Sequence, residues 1–167
     1  MWLLTIAQKP ATLPTSEKQW AEVDRPRPAT ERIPMFAYET WVKLYDTDAA
    51  GLLFFGNHFR VMHDAYEAYL TSCGFDIGEI IRTGDLLIPL VHAECDYHHQ
   101  LNVGDRITVH LTCDKISTHS FVLKANLLRD AETHVATVTT VHVCTDGSGG
   151  NKVPIPGNVR DALDGLR

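Results

Sequence analysis

The chain has 167 residues, of which 44% are hydrophobic and 22% charged, and it carries a formal net charge of −6. That balance suits one globular domain with its own core and excludes a disordered or fibrous chain. An acidic surplus argues against nucleic acid, whose phosphates call for a basic surface. No apolar run approaches the roughly 20 residues of a membrane-spanning helix, so no membrane partner is expected.

The four cysteines, Cys73, Cys95, Cys113 and Cys144, are too widely spaced for a zinc or redox pair. Three of them fall in apolar, strand-like stretches, which predicts buried reduced thiols. The start, Met1 to Ala7, lacks the basic n-region of a secretory signal. Both features predict a cytoplasmic protein.

Along the chain, Pro10, Pro14, Pro26, Pro28 and Pro34 break up the mostly polar N-terminal stretch. Residues 1–34 are therefore expected to form a poorly ordered tail without chemistry, and residues 35–167 the folded domain. Phe36 to Tyr45 is rich in aromatic and β-branched residues and predicts a strand. The turn-forming Asp46 to Gly51 then breaks it. Asn57 stands where a helix cap belongs, and Phe59, Met62, Tyr66, Tyr69, Leu70 and Cys73 follow at helical spacing. They predict a buried helix over about 58–73, ended by Gly74.

The second half alternates at period two. Ile88 to His98 is one predicted strand. Ile107, Val109, Leu111 and Cys113 share one face of the next, and Phe121, Leu123, Ala125 and Leu127 share one face of a third. Val135, Thr137, Thr139, Val141 and Val143 repeat the pattern. The connections are short, which implies antiparallel neighbours. Gly147 to Gly150 closes the sheet, and Val159 to Leu166 suits a short terminal helix. The sum is an α+β domain, with a curved antiparallel sheet wrapped around one long helix.

The chemistry concentrates in Asp46-Thr47-Asp48-Ala49-Ala50-Gly51-Leu52-Leu53-Phe54-Phe55-Gly56-Asn57-His58. Two carboxylates sit on a turn just ahead of a helix start, whose amide N–H groups are unpaired and at the positive dipole end. Such donors stabilise a developing oxyanion, while a carboxylate activates water or attacks directly. Thioesters suit this arrangement because the thiolate leaves without strong acid help. No G-x-S-x-G motif competes.

This stretch resembles the signature of the 4-hydroxybenzoyl-CoA thioesterase family. That signature is Asp-x-Asp-x-x-Gly, two or three apolar or aromatic residues, then Asn and a long helix. The resemblance extends through Tyr69-Leu70 and Cys73-Gly74 and covers about residues 36–146. It implies the hotdog fold, edge-to-edge dimers that often form tetramers, and an active site at the dimer interface. By the same resemblance, Asp48 is the nucleophile or general base, and the Phe55 backbone N–H meets the thioester carbonyl. Asp46 and Asn57 match positions that look like a turn brace and a helix cap. Gly51, Phe54, Asn57, His58 and His63 are the substrate-side candidates, with His58 expected half-exposed.

The substrate implied is an acyl-CoA, with an aromatic acyl group such as hydroxybenzoyl or dihydroxynaphthoyl. Coenzyme A is then part of the substrate, and no separate cofactor is expected. Two departures from the family stand out. Gly56 occupies a position where similar relatives carry Pro or His. The turn Lys115 to His119 offers only Lys115 and His119 for cofactor phosphates, which leaves Arg60, Lys124 or Arg129 for that task, or else an acyl-carrier-protein substrate. A non-catalytic acyl-CoA sensor is a further alternative. His92, Glu94 and Asp96 share a strand face, but the family needs no metal and none is expected. His63 and Glu67 are spaced as an i,i+4 polar pair.

Overall fold

A computed structural model describes residues 36–167. The expected tail of residues 1–34 lies outside the described residues. Five strands form an antiparallel sheet: β1 (Ala37–Trp41), β3 (Leu90–Tyr97), β4 (Arg106–Ile116), β5 (Ser120–Arg129) and β6 (Thr133–Val143), in the order β1-β4-β5-β6-β3. Two short strands, β2 (Leu86–Leu87) and β7 (Thr145–Asp146), pair separately. Helix α1 (Asn57–Ser72) packs on the sheet, and α3 (Gly157–Asp164) ends the chain. This is the α+β arrangement expected, and no described helix is long and apolar enough to cross a membrane.

β4 and β5 form as their alternation predicts: Ile107, Val109, Leu111 and Cys113 face the core with Phe121, Leu123, Ala125 and Leu127. β6 does not. Leu127 pairs with Ala136 but Leu128 pairs with His134, so Val135 is the extra residue of a β-bulge. Beyond it the facing parity is reversed. Ala136, Val138, Thr140 and His142 point inward, while Thr137, Thr139, Val141 and Val143 are only partly covered. The expected inward face of this strand is thus corrected from residue 137 onward.

β1 is shorter than expected. After Trp41 the chain turns through a 3-10 helix at Leu44–Asp46. α1 buries His58, Val61, Met62, Ala65, Tyr66 and Tyr69, the i,i+3/i+4 stripe that lies on the sheet. Gly56, not Asn57, occupies the cap position, and Gly74 takes φ 84° just past the helix end. A second helix, α2 (Ile77–Thr83), had no periodic signature because it buries no residue. Its signals are the Asp76 cap, whose Oδ1 accepts from Glu79 N–H at 2.9 Å, and Gly84 at φ 67°. Of the cysteines, Cys113 and Cys144 are buried as expected, but Cys73 is exposed and Cys95 half-buried.

Candidate active site

The Asp48 loop is a small hairpin. Asp48 N–H donates to the Leu52 carbonyl at 2.9 Å, and Gly51 N–H donates to the Asp48 carbonyl at 3.0 Å. Gly51 closes the turn at φ 75°, a conformation that glycine adopts without Cβ strain. Leu53 N–H reaches the Leu101 carbonyl at 2.8 Å and Phe54 N–H the Asp46 carbonyl at 2.9 Å, so both arms are held to the fold.

The two carboxylates have separate tasks. Asp46 is only 2% exposed; its Oδ1 pairs with Arg60 Nη2 of α1 at 2.6 Å, and its Oδ2 accepts from Lys43 N–H at 3.0 Å. Arg60 also holds Asp64 at 2.8 Å. The Asn57 amide donates to the Asp46 carbonyl at 2.7 Å. Asp46 and Asn57 thus brace the loop against the helix. Asn57 achieves this from inside the helix rather than as its cap.

Asp48, in contrast, is exposed on the single chain. Its Oδ1 accepts from Ala50 N–H at 2.8 Å and Leu52 N–H at 3.3 Å. Its Oδ2 has no hydrogen-bond partner among the described residues. One oxygen is therefore oriented by the turn, and the other is free to work on a ligand.

At the helix entrance, Phe55 N–H and Gly56 N–H donate to no acceptor among the described residues. The Phe54 and Phe55 rings lie 4.4 Å apart, and both are exposed. The Phe55 carbonyl is held from two sides, by Tyr97 Oη at 3.1 Å and by His58 Nδ1 at 3.1 Å. A carbonyl only accepts, so His58 carries its proton on Nδ1. His58 is 5% exposed, not half-exposed as expected; its burial under Tyr97, ring centroids 4.9 Å apart, follows from its place on the inner stripe of α1. Burial lowers its pKa from the ordinary value, against weaker opposing bonds to the Phe55 and Phe54 carbonyls. Burial also raises the Tyr97 hydroxyl to about 12, helped by the Cys95 thiol, so it keeps its proton as a donor.

The remaining candidates are placed further along. His63 is exposed and pairs with Glu67 at 3.0 Å, the spacing its sequence predicts. His92 and Glu94 lie 3.4 Å apart on the exposed face of β3. Two clefts, of about 630 and 590 Å³, are lined respectively by residues such as Trp41 and Arg106, and Tyr69 and Phe75; neither is lined by Asp48 or Phe55.

Among the basic candidates, Arg60 is engaged by Asp46 and Asp64, and Arg129 Nη1 donates to the Gln100 carbonyl at 3.3 Å. Arg160 was missed. From α3 its Nη2 donates to the Ser117 carbonyl at 2.8 Å, which brings a guanidinium to the turn that carries Lys115 and His119. Its distance in sequence from that turn left no signal.

A model described as the thioesterase-like superfamily matches residues 42–163. A 1,4-dihydroxy-2-naphthoyl-CoA hydrolase of Synechocystis sp. is 37% identical over 129 residues, which cover 72% of this chain and 88% of that protein. The crystal structure of a 1,4-dihydroxy-2-naphthoyl-CoA thioesterase from Synechocystis superposes with a TM-score of 0.73 at 35% identity, covering 77% of this chain and 95% of that one. A gentisyl-coenzyme A thioesterase structure gives 0.67 at 28% identity, over 77% and 98% of the two chains. With the sheet, the central helix and the Asp-x-Asp turn all in place, the chain belongs to the thioesterase-like superfamily and is a thioesterase with the hotdog fold.

Proposed function

We propose that the protein hydrolyses an aromatic acyl-CoA to the free acid and coenzyme A, with Asp48 as the catalytic carboxylate and the Phe55 N–H as oxyanion donor. The observation that carries this reading is the asymmetry of Asp48. One carboxylate oxygen is held by two turn amides and the other has no partner among the described residues, on a loop hydrogen-bonded to the entrance of α1. Oδ2 either takes a proton from water as the hydroxide adds to the carbonyl carbon, or attacks that carbon itself. In both cases the C–S bond then breaks, and the thiolate leaves and is protonated; after direct attack, water then cleaves the acyl–Asp48 anhydride, releasing the free acid and restoring the carboxylate. The oxyanion forms against an amide that needs no reorientation.

An aromatic acyl group is supported by the substrates named for the relatives and by the exposed Phe54 and Phe55 rings. Coenzyme A in place of a carrier protein is supported by the Arg160 guanidinium beside the Lys115–His119 turn. A homo-oligomer, a dimer of edge-joined sheets or a tetramer of such dimers, is supported by β3, which lies at the sheet edge with most of its residues exposed. The free cysteines suit the cytoplasm.

The test is steady-state hydrolysis of hydroxybenzoyl- and dihydroxynaphthoyl-CoA, followed by thiol release, and of the same acyl groups on a carrier protein. Asp48→Asn should cut kcat by at least about 100-fold. Turnover that survives this substitution would refute the mechanism. Failure to cleave any thioester would favour a binding-only protein, and preference for the carrier-bound acyl group would refute the coenzyme A assignment.

A further inference from the structure

The Phe55 carbonyl is exposed to two side-chain donors from different elements, Tyr97 of β3 and His58 of α1, each at 3.1 Å. Two donors are more than a turn carbonyl needs, since one suffices to satisfy it. The peptide on the other side of the Phe55 Cα is also pinned, since its Phe54 carbonyl accepts from Asn57 N–H at 2.8 Å. With both flanking peptide planes held, the directions of the Phe55 and Gly56 N–H bonds are set. Without the two side chains, the Phe55–Gly56 peptide has no hydrogen-bond partner among the described residues, and Phe55 is 62% exposed while Gly56 has no side chain to pack. A carbonyl with two donors also polarises its own peptide, which strengthens the Gly56 N–H as a donor.

We propose that Tyr97 and His58 are positioning residues for the oxyanion turn, acting through the Phe55 carbonyl. The inference rests on the reading of Asp48 and Phe55 given above. In this role they act through the Phe55 carbonyl: their effect is to keep the amide donors aimed at the place where negative charge develops, so they act on the transition state more than on ground-state binding. The clamp also links the turn to β3, the strand at the sheet edge.

The experiment compares kcat and KM for a CoA thioester in the wild type, Tyr97→Phe, His58→Leu, His58→Asn and Asp48→Asn, with thermal melting and sedimentation as controls. Tyr97→Phe removes one exposed hydroxyl and should fold and assemble normally. It should lower kcat about 10-fold, less than the loss of a direct oxyanion donor, with KM nearly unchanged. His58→Leu should do the same. His58→Asn, whose amide nitrogen falls close to the place of Nδ1, should restore much of the loss. Unchanged kcat in Tyr97→Phe, or a change confined to KM, would overturn the positioning role when Asp48→Asn is inactive. An active Asp48→Asn would overturn the underlying mechanism instead.

Discussion

The Asp46–Gly51 turn depends on one buried charge. Asp46 is shielded from water and answered by Arg60, which is itself partly exposed. Replacing Arg60 by Met leaves that carboxylate buried without a counter-ion. Breaking a fully buried pair costs about 3–5 kcal/mol, and the exposure of Arg60 reduces this to about 2–3 kcal/mol. Denaturant unfolding of Arg60→Met should show a loss of that size, together with a fall in kcat. A second residue sets a pH dependence. His142 stacks on Phe121 with ring centroids 5.0 Å apart and contacts the Thr140 hydroxyl at 3.0 Å. Burial, then the charge of His63, pushes its pKa down to about 4, against a bond to the Ile88 backbone. An unfolded His titrates near 6.5, so between that pH and about 4 the unfolded chain binds the extra proton. Stability should therefore fall as the pH drops through this window, by up to about 3 kcal/mol, and level off below it. His58 pulls in the same direction. His142→Phe should flatten the dependence in unfolding measured between pH 7 and 4.5.

The elements differ in how openly the sequence declared them. α1, β4 and β5 were legible because their burial follows a regular period, and the turn ahead of α1 because Asp46, Asp48, Gly51 and the helix start lie within one short stretch. β6 misled: Val135, Val141 and Val143 suggest one inward face, yet the bulge at Val135 turns Thr140 and His142 inward instead. Periodicity carries no mark of an inserted residue, and burying a threonine and a histidine contradicts the bare hydrophobic pattern. α2 was missed because it presents no apolar face. The tasks of Arg60 and Tyr97 were hidden because ion pairs and hydrogen bonds between distant segments leave no local spacing. Arg160 is a similar case, since α3 brings it to the Ser117 carbonyl only on folding. Arg160→Ala should raise KM for a CoA thioester several-fold with little change in kcat, while the KM for the matching N-acetylcysteamine thioester, which lacks the cofactor phosphates, should stay level.

At the scale of the whole molecule, the sheet has an unusual edge. Among the described residues β3 pairs with β6 alone, and Leu90, Val91 and Tyr97 on it are all at least 49% exposed. An edge strand of eight residues is a template for another strand. On the proposed pairing of copies along β3, Val91→Lys, a charge of the kind natural edges use to stay unpaired, should give a monomer in sedimentation where the wild type gives an oligomer, and should lower turnover. The edge strand also carries Tyr97, whose hydroxyl donates to the Phe55 carbonyl, next to the proposed oxyanion donor. Mass action then reaches into the chemistry. If copies join along β3, thinning the solution below their dissociation constant separates them and loosens the strand, so the rate per molecule should sink with dilution and return on reconcentration.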